Sequence, residues 1–251
     1  VTTLSATGQE VFHNYFFPFT GSFGYVEAGD FPALKTAADK TVCAVMLEMI
    51  QGEGGVKPLD PAYVEAVAAF CKAHDILLIV DEVQSGVGRT GTFLAAEQYN
   101  LSPDIVTLAK GLGGGLPIGA CLCTAPLGKV MGPSTHGSTF GGNPVVSAGA
   151  AYILDTVSKP EFLHSVRKKG EVIRARLSGL SNLREVRGLG LMLGIDLING
   201  DAKTAANRCL EQGLLVLTAK ASLRLLPPLN ISEAELNRGL DILCSVIESL
   251  A

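Results

Sequence analysis

Long apolar runs, basic clusters and patterned cysteines are all scarce in this 251-residue chain, and each shortage removes a class of protein. No apolar stretch approaches the roughly 20 residues that a helix needs to cross a bilayer. The start, Val1-Thr2-Thr3-Leu4-Ser5, has neither the basic flank nor the apolar core of a secretory leader, so a soluble, cytoplasmic chain is expected. The longest basic run is Arg167-Lys168-Lys169, and with a net charge of −4 and a pI near 5.6 no nucleic acid or other polyanion is implied. Internal repeats and low-complexity segments are missing too. Of the six cysteines, Cys121 and Cys123 lack the spacing of a zinc or redox pair, and Cys43, Cys71, Cys209 and Cys244 lie in apolar periodic segments. They read as reduced core residues, and no metal is expected. An initiator methionine is also absent: the chain enters at Val1 into a polar, glycine-containing stretch, which reads as a beginning cut from something longer.

What is present describes a globular chain. At 47% hydrophobic and 18% charged residues it can bury a core, and its length suits one large domain or two smaller ones. Through the first half, strand-like runs alternate with helical patterns. Val42–Ile50 reads as a strand, Pro61–His74 as a helix with Asp60 as N-cap and Val64, Val67, Ala68 and Cys71 on one face, and Ile76–Val80 as a second strand. A short helix near Thr92–Tyr99 precedes strands at Ile105–Ala109 and Ile118–Cys123. The alternation predicts an α/β fold with a mostly parallel sheet and crossover helices. After Gly141-Gly142-Asn143-Pro144 the pattern shifts to helices at 145–157 and 160–180, strands at 183–186 and 191–197, a helix at 202–212, short strands near 215–218 and 223–226, and a last helix at 232–250. That order predicts a small C-terminal α+β domain, with the boundary near residue 155: 1–155 in the large domain, 156–251 in the small one.

The chemistry should gather where strands end, because open α/β sheets bind ligands beyond the carboxyl ends of their strands. The oily run Ile76-Leu77-Leu78-Ile79-Val80 stops at Asp81-Glu82, followed by Gln84, three glycines and Arg89. One strand–helix–strand unit later, Ile105-Val106-Thr107-Leu108-Ala109 stops at Lys110, before Gly111-Leu112-Gly113-Gly114-Gly115. A lysine there is ordinarily a solvated cap. Delivered to the same rim as a carboxylate, however, it can serve pyridoxal phosphate, which needs an amine to form an imine and an anion to keep its ring nitrogen protonated. Gly111–Gly115 and Gly188–Gly194 invite a dinucleotide-binding reading, but neither has G-x-G-x-x-G in register at a strand-to-helix turn with an acidic residue about twenty positions on.

Six stretches in order carry a family resemblance: Glu48-Met49-Ile50-Gln51-Gly52-Glu53-Gly54-Gly55, Leu78–Gly91, Thr107–Gly119, His136–Pro144, Glu185–Gly190 and Leu223–Leu229. On these the chain resembles the class III pyridoxal-phosphate-dependent aminotransferases of fold type I, and within the class it is most similar to the acetylornithine branch. The resemblance implies roles. Lys110 holds the cofactor and shuttles the substrate proton, Asp81 pairs with the ring nitrogen, Val83 packs on a ring face and Gln84 reaches the ring hydroxyl. Ser138 and Thr139 sit in the loop that crosses to the neighbouring subunit's cofactor phosphate. Arg224 binds the substrate α-carboxylate, and Glu53 masks that arginine. Glu82 receives no chemical role beyond buttressing its loop.

It further implies a cytoplasmic homodimer with shared active sites, moving an amino group by a ping-pong exchange between N-acetylornithine, or a similar terminal amine, and 2-oxoglutarate in arginine biosynthesis. Ornithine and succinylornithine enzymes stay open as alternatives, as does a truncated, non-catalytic dimerisation module. The family's phosphate-cradling turn, its second ring-stacking aromatic and its acyl-recognising basic residue find no match here. The expectation is therefore a chain lacking the N-terminal third and inactive alone.

Overall fold

In the computed structural model, which describes residues 1–251, the backbone divides into two units, Val1–Cys43 and Ala44–Ala251. The first holds α1 (Thr2–Ala6), a 3-10 turn (Glu10–Asn14) and α2 (Phe31–Ala37). Asp30 caps α2 by accepting from the Ala33 amide at 2.9 Å, and Pro32 suits its first turn because a proline there forfeits no helical hydrogen bond.

The second unit starts with β1 (Ala44–Leu47), the hairpin β2 (Ile50–Gln51) and β3 (Lys57–Pro58), α3 (Pro61–Ala73) and β4 (Leu77–Asp81). The single strand predicted over 42–50 is thus two: Glu48 and Met49 leave the sheet, and Ile50 and Gln51 pair antiparallel with Pro58 and Lys57. Helix α3 begins at its predicted cap, Asp60, whose carboxylate accepts from the amides of Ala62 and Tyr63 at 2.8 and 3.1 Å. A 3-10 turn (Ala95–Tyr99) stands where a short helix is predicted, and β5 (Ile105–Leu108), β6 (Ala120–Cys123) and the four-residue α4 (Ala125–Gly128) follow.

These strands form a sheet of order β1-β4-β5-β6. β1, β4 and β5 are mutually parallel, and β6 runs antiparallel on β5. Leu47 lies opposite Val80 and Asp81 opposite Thr107, so Glu48, Asp81 and the Lys110 turn all emerge at one edge. The parallel arrangement carries three carboxyl ends to a single rim.

The remainder comprises α5 (Pro144–Val157), α6 (Pro160–Leu177), β7 (Leu183–Leu189), β8 (Met192–Leu197), α7 (Ala202–Glu211), β9 (Leu217–Ala219), β10 (Ser222–Leu225) and α8 (Glu233–Glu248). The four strands form an antiparallel sheet of order β7-β8-β10-β9. Its largest apolar core joins Val166, Ile173 and Leu177 of α6 with Leu193 and Ile195 of β8, Leu223 of β10 and Leu240, Leu243 and Ile247 of α8. The three- and four-residue spacing along α8 places those side chains on one stripe, and Ser232 and Glu235 form a reciprocal capping box at its start.

The cysteine expectation needs correction. Only Cys71 and Cys209 are buried; Cys43, Cys121 and Cys123 are exposed and Cys244 is half-buried, all six as free thiols. Cys121 and Cys123 lie on β6, whose four residues are all exposed, so apolar sequence there does not translate into core.

Candidate active site

Lys110 follows β5 with φ +47°, in the left-handed region that a side-chain-bearing residue adopts at a cost. It opens a 3-10 turn over Lys110–Gly113. Beside it, Asp81 closes β4; its Oδ1 accepts from the Val83 amide at 2.8 Å, which pins the start of the next loop. The Thr107 hydroxyl, opposite Asp81 in the sheet, is buried with no hydrogen-bond partner. A buried polar atom left unpaired is costly and marks a place where a bound group can complete the pairing.

Glu82 is fully buried, at 0% exposure. Its two oxygens accept from the Ser85 hydroxyl at 2.6 Å and the Ala96 amide at 2.8 Å. Burial raises its pKa above the usual glutamate value, against the opposing pull of those bonds. The chemical blank left by the sequence is thereby filled: Glu82 ties the loop that carries Val83 and Gln84 to the 95–99 turn.

Val83, Gln84, Arg89 and Lys110 line a cleft of about 510 Å³ together with Tyr152 and Ile153 of α5 and with Leu226 and Leu229. Arg89 donates to the carbonyls of Leu191 and Pro227 at 3.0 and 2.6 Å, and burial pulls its pKa down to about 10. It joins the loop after β4 to the segments flanking the second sheet, a role invisible locally because its partners lie more than 100 residues away.

A second cluster adjoins through Gln84. Glu53, at the tip of the β2–β3 hairpin, accepts through Oε1 from Arg224 Nη1 at 2.5 Å and from Gln84 Nε2 at 3.0 Å. Arg224 is 9% exposed, and its Nε has no partner. Partial burial would raise the Glu53 pKa, but the bonds from Arg224 and Gln84 outweigh it and hold the carboxyl below the usual glutamate range. Glu48, a residue with no assigned role in the sequence reading, accepts from the Gly52 amide at 3.2 Å. Burial raises its pKa first of all, with Asp81 and Glu53 adding and Lys110 opposing. The signal that could have found it is the one that found Asp81: an acid directly after an apolar run.

Ser138 and Thr139 are not brought to this rim. Both lie exposed in the loop before α5, where the Ser138 hydroxyl accepts from the Gly141 amide at 2.9 Å.

The class-III aminotransferase family profile matches residues 1–247. The chain belongs to this family. Among its relatives, the acetylornithine aminotransferase of Haemophilus ducreyi is 48% identical over 252 residues, covering 100% of this chain and 64% of that protein. The enzyme of the same name from Caldanaerobacter subterraneus subsp. tengcongensis is 45% identical, covering 98% and 64%. Among solved structures, an ornithine aminotransferase of Toxoplasma gondii, with partial occupancy of PLP at its active site, superposes with a TM-score of 0.91 at 33% identity, covering 99% of this chain and 61% of that one. The N-acetylornithine aminotransferase of Stenotrophomonas maltophilia K279a gives 0.83 at 37%, covering 98% and 64%. The fold is therefore that of the fold type I transferases, and the chain spans a little under two thirds of the curated relatives it matches.

Proposed function

We propose that the protein to which these residues belong is a pyridoxal-phosphate-dependent aminotransferase exchanging an amino group between N-acetylornithine and 2-oxoglutarate. The observation that carries the proposal is the pairing of Glu53 with Arg224 beside a rim holding Asp81 and Lys110. The donor set fits the cofactor. It offers an amine, a carboxylate with one oxygen engaged by the Val83 amide, and an unpaired buried hydroxyl at Thr107.

When bound, pyridoxal phosphate supplies an electron sink for the carbon that loses its proton. Lys110 would hold it covalently through Nζ, and the same amine would then move the substrate proton. Asp81 would keep a proton on the ring nitrogen, Val83 would pack against the ring and Gln84 would face its hydroxyl. Ser138 and Thr139 would serve the cofactor phosphate of a neighbouring subunit, in a cytoplasmic homodimer.

Arg224 would hold the α-carboxylate of glutamate by a bidentate contact, the geometry a guanidinium favours. For a terminal amine the α-carboxylate must lie far from the reacting centre, and an open Arg224 would draw it to the wrong place. Glu53, paired with Arg224, removes that attraction and restores it on swinging away. Residues 1–155 would form part of the large domain and 156–251 the small one.

Borohydride reduction of the complete protein with pyridoxal phosphate, followed by peptide mapping, tests the assignment. The label is expected on Lys110 and lost in Lys110→Ala; label on Lys129 or Lys220 would refute it. Single-turnover absorbance changes with N-acetylornithine, succinylornithine, ornithine and glutamate then identify the donor, with N-acetylornithine and glutamate expected to react fastest.

A further inference from the structure

Arg187 of β7, Gly194 of β8 and Arg224 of β10 form one row across three strands: Arg187 lies opposite Gly194, and Gly194 opposite Arg224. Directly opposed residues of an antiparallel pair face the same side, so the two arginines project together on either side of a position with no side chain. The tip of the β2–β3 hairpin occupies that gap. A Cβ built on Gly194 would stand 2.9 Å from the Gly55 carbonyl oxygen, closer than real contacts allow, and 3.0 Å from Val56 Cβ, tighter than most.

Each arginine takes a different part of the tip. Arg224 pairs with the Glu53 carboxylate. Arg187 donates to the Gly55 carbonyl through Nε at 2.9 Å and Nη2 at 2.7 Å. Arg187 is itself held by Asp196, at 2.6 and 3.1 Å to its two oxygens, and by the Ser222 hydroxyl at 2.6 Å; Ser222 in turn donates to Asp196 at 2.6 Å. The other end of the turn is fastened where Glu48 accepts from the Gly52 amide. The backbone bond from the Val56 amide to the Gly52 carbonyl, 3.2 Å, closes the turn between those anchors.

We infer that Arg187, fixed by Asp196 and Ser222, is a positioning residue that seats the hairpin tip over Gly194 and so sets Glu53 against Arg224, making it a determinant of donor specificity. The inference rests on the reading of Glu53 and Arg224 as a removable mask. Arg187 touches neither the reacting centre nor Arg224's carboxylate partner; it acts on the backbone two residues beyond Glu53. The Glu53 side chain, at 47% exposure, is thereby free to swing while its backbone is not.

Two variants disturb the seat from opposite sides. Arg187→Gln removes the bidentate contacts to Asp196 and Gly55, and Gly194→Ala pushes the tip out with a single methyl. In the complete protein, the ratio of single-turnover efficiencies, glutamate over N-acetylornithine, is expected to rise about tenfold in each, the scale of one charge-assisted contact. Affinity for glutarate, a dicarboxylate probe of unmasked Arg224 with no amine to react, should rise in parallel.

Combined with Glu53→Gln, neither variant should raise the ratio further, since all three act through the same mask. Fully additive ratios, or equal losses for both donors with unchanged glutarate affinity, would overturn the positioning role while leaving the mask standing. If Glu53→Gln alone left the ratio unchanged, mask and positioning role would both fall. Ser222→Ala, which keeps the Arg187–Asp196 pair, should give a smaller shift in the same direction; a shift exceeding that of Arg187→Gln would also count against the role.

Discussion

Replacing Glu82 separates a buttress from a catalytic acid, and the structure gives the size of the effect. Glu82→Ala leaves the Ser85 hydroxyl, itself 1% exposed, and the Ala96 amide without acceptors. Each buried donor so stranded costs about 1–3 kcal/mol. A void left by the removed carboxyl and methylene groups adds to this, and release from the carboxyl's own burial penalty offsets part of it. The net loss should be roughly 3–4 kcal/mol, a large share of the ~5–15 kcal/mol that holds a domain folded.

Glu82→Gln keeps the shape. Its carbonyl can serve the Ala96 amide while its NH2 donates to the Ser85 oxygen, which leaves the Ser85 hydroxyl hydrogen as the one donor without an acceptor, so about 1–2 kcal/mol should be lost. The pH dependence supplies a separate check. Burial raises the folded Glu82 pKa above its ordinary 4.5, so between the two values the folded state holds the proton and the unfolded state does not. Its contribution is fully present below the ordinary value and is lost as pH rises through the raised one. Glu82→Gln should remove that slope. Urea denaturation of the complete protein across pH, read as midpoint shifts at constant m, measures all of this. A Gln variant as damaged as the Ala variant, or an Ala loss under about 1 kcal/mol, would refute the reasoning.

Other perturbations test the rim. Asp81→Asn should retain pyridoxal phosphate while turnover falls at least ~10²-fold, the scale of losing one well-placed electrostatic element; near-normal turnover would remove Asp81 from its role. Glu53→Gln should move the donor ratio toward glutamate by about ten- to a hundredfold, or roughly 1–3 kcal/mol, because the buried Arg224 loses its charged partner; equal losses for both donors would reduce Glu53 to a structural residue. Asp196 is held below its ordinary pKa of 3.8, first by its bond from Arg187. Its stabilising contribution is therefore complete above that value and lost only as pH falls through the depressed one, so the stability cost of Asp196→Asn should be constant above ~pH 5 and shrink in stronger acid. A cost that changes between neutral pH and pH 6 would contradict this.

Local physics made much of the fold readable. Asp60 before Pro61 marks a helix start because its carboxylate satisfies amides that the first turn leaves unpaired. The alternation of apolar runs and amphipathic stretches specifies parallel strands with crossovers, since only a long connection returns a chain in the same direction. Asp81 and Lys110 stood out because apolar runs stop abruptly at them. Glu48 follows the same rule, but the apolar Met49 and Ile50 beyond it mask the end of β1 at Leu47.

Composition and periodicity by themselves determined the α/β class, the capped helix start at Asp60 and the two strand-end residues, because each depends on neighbours within a turn or a strand. Only the tertiary structure decided which strands pair and in what register. That register brings Glu53 to Arg224 across 171 residues and aligns Arg187, Gly194 and Arg224 in one row. A one-residue slip would turn either arginine to the opposite face with no change in local pattern, so the assembled surface depends on long-range pairing and burial and not on any single stretch of chain.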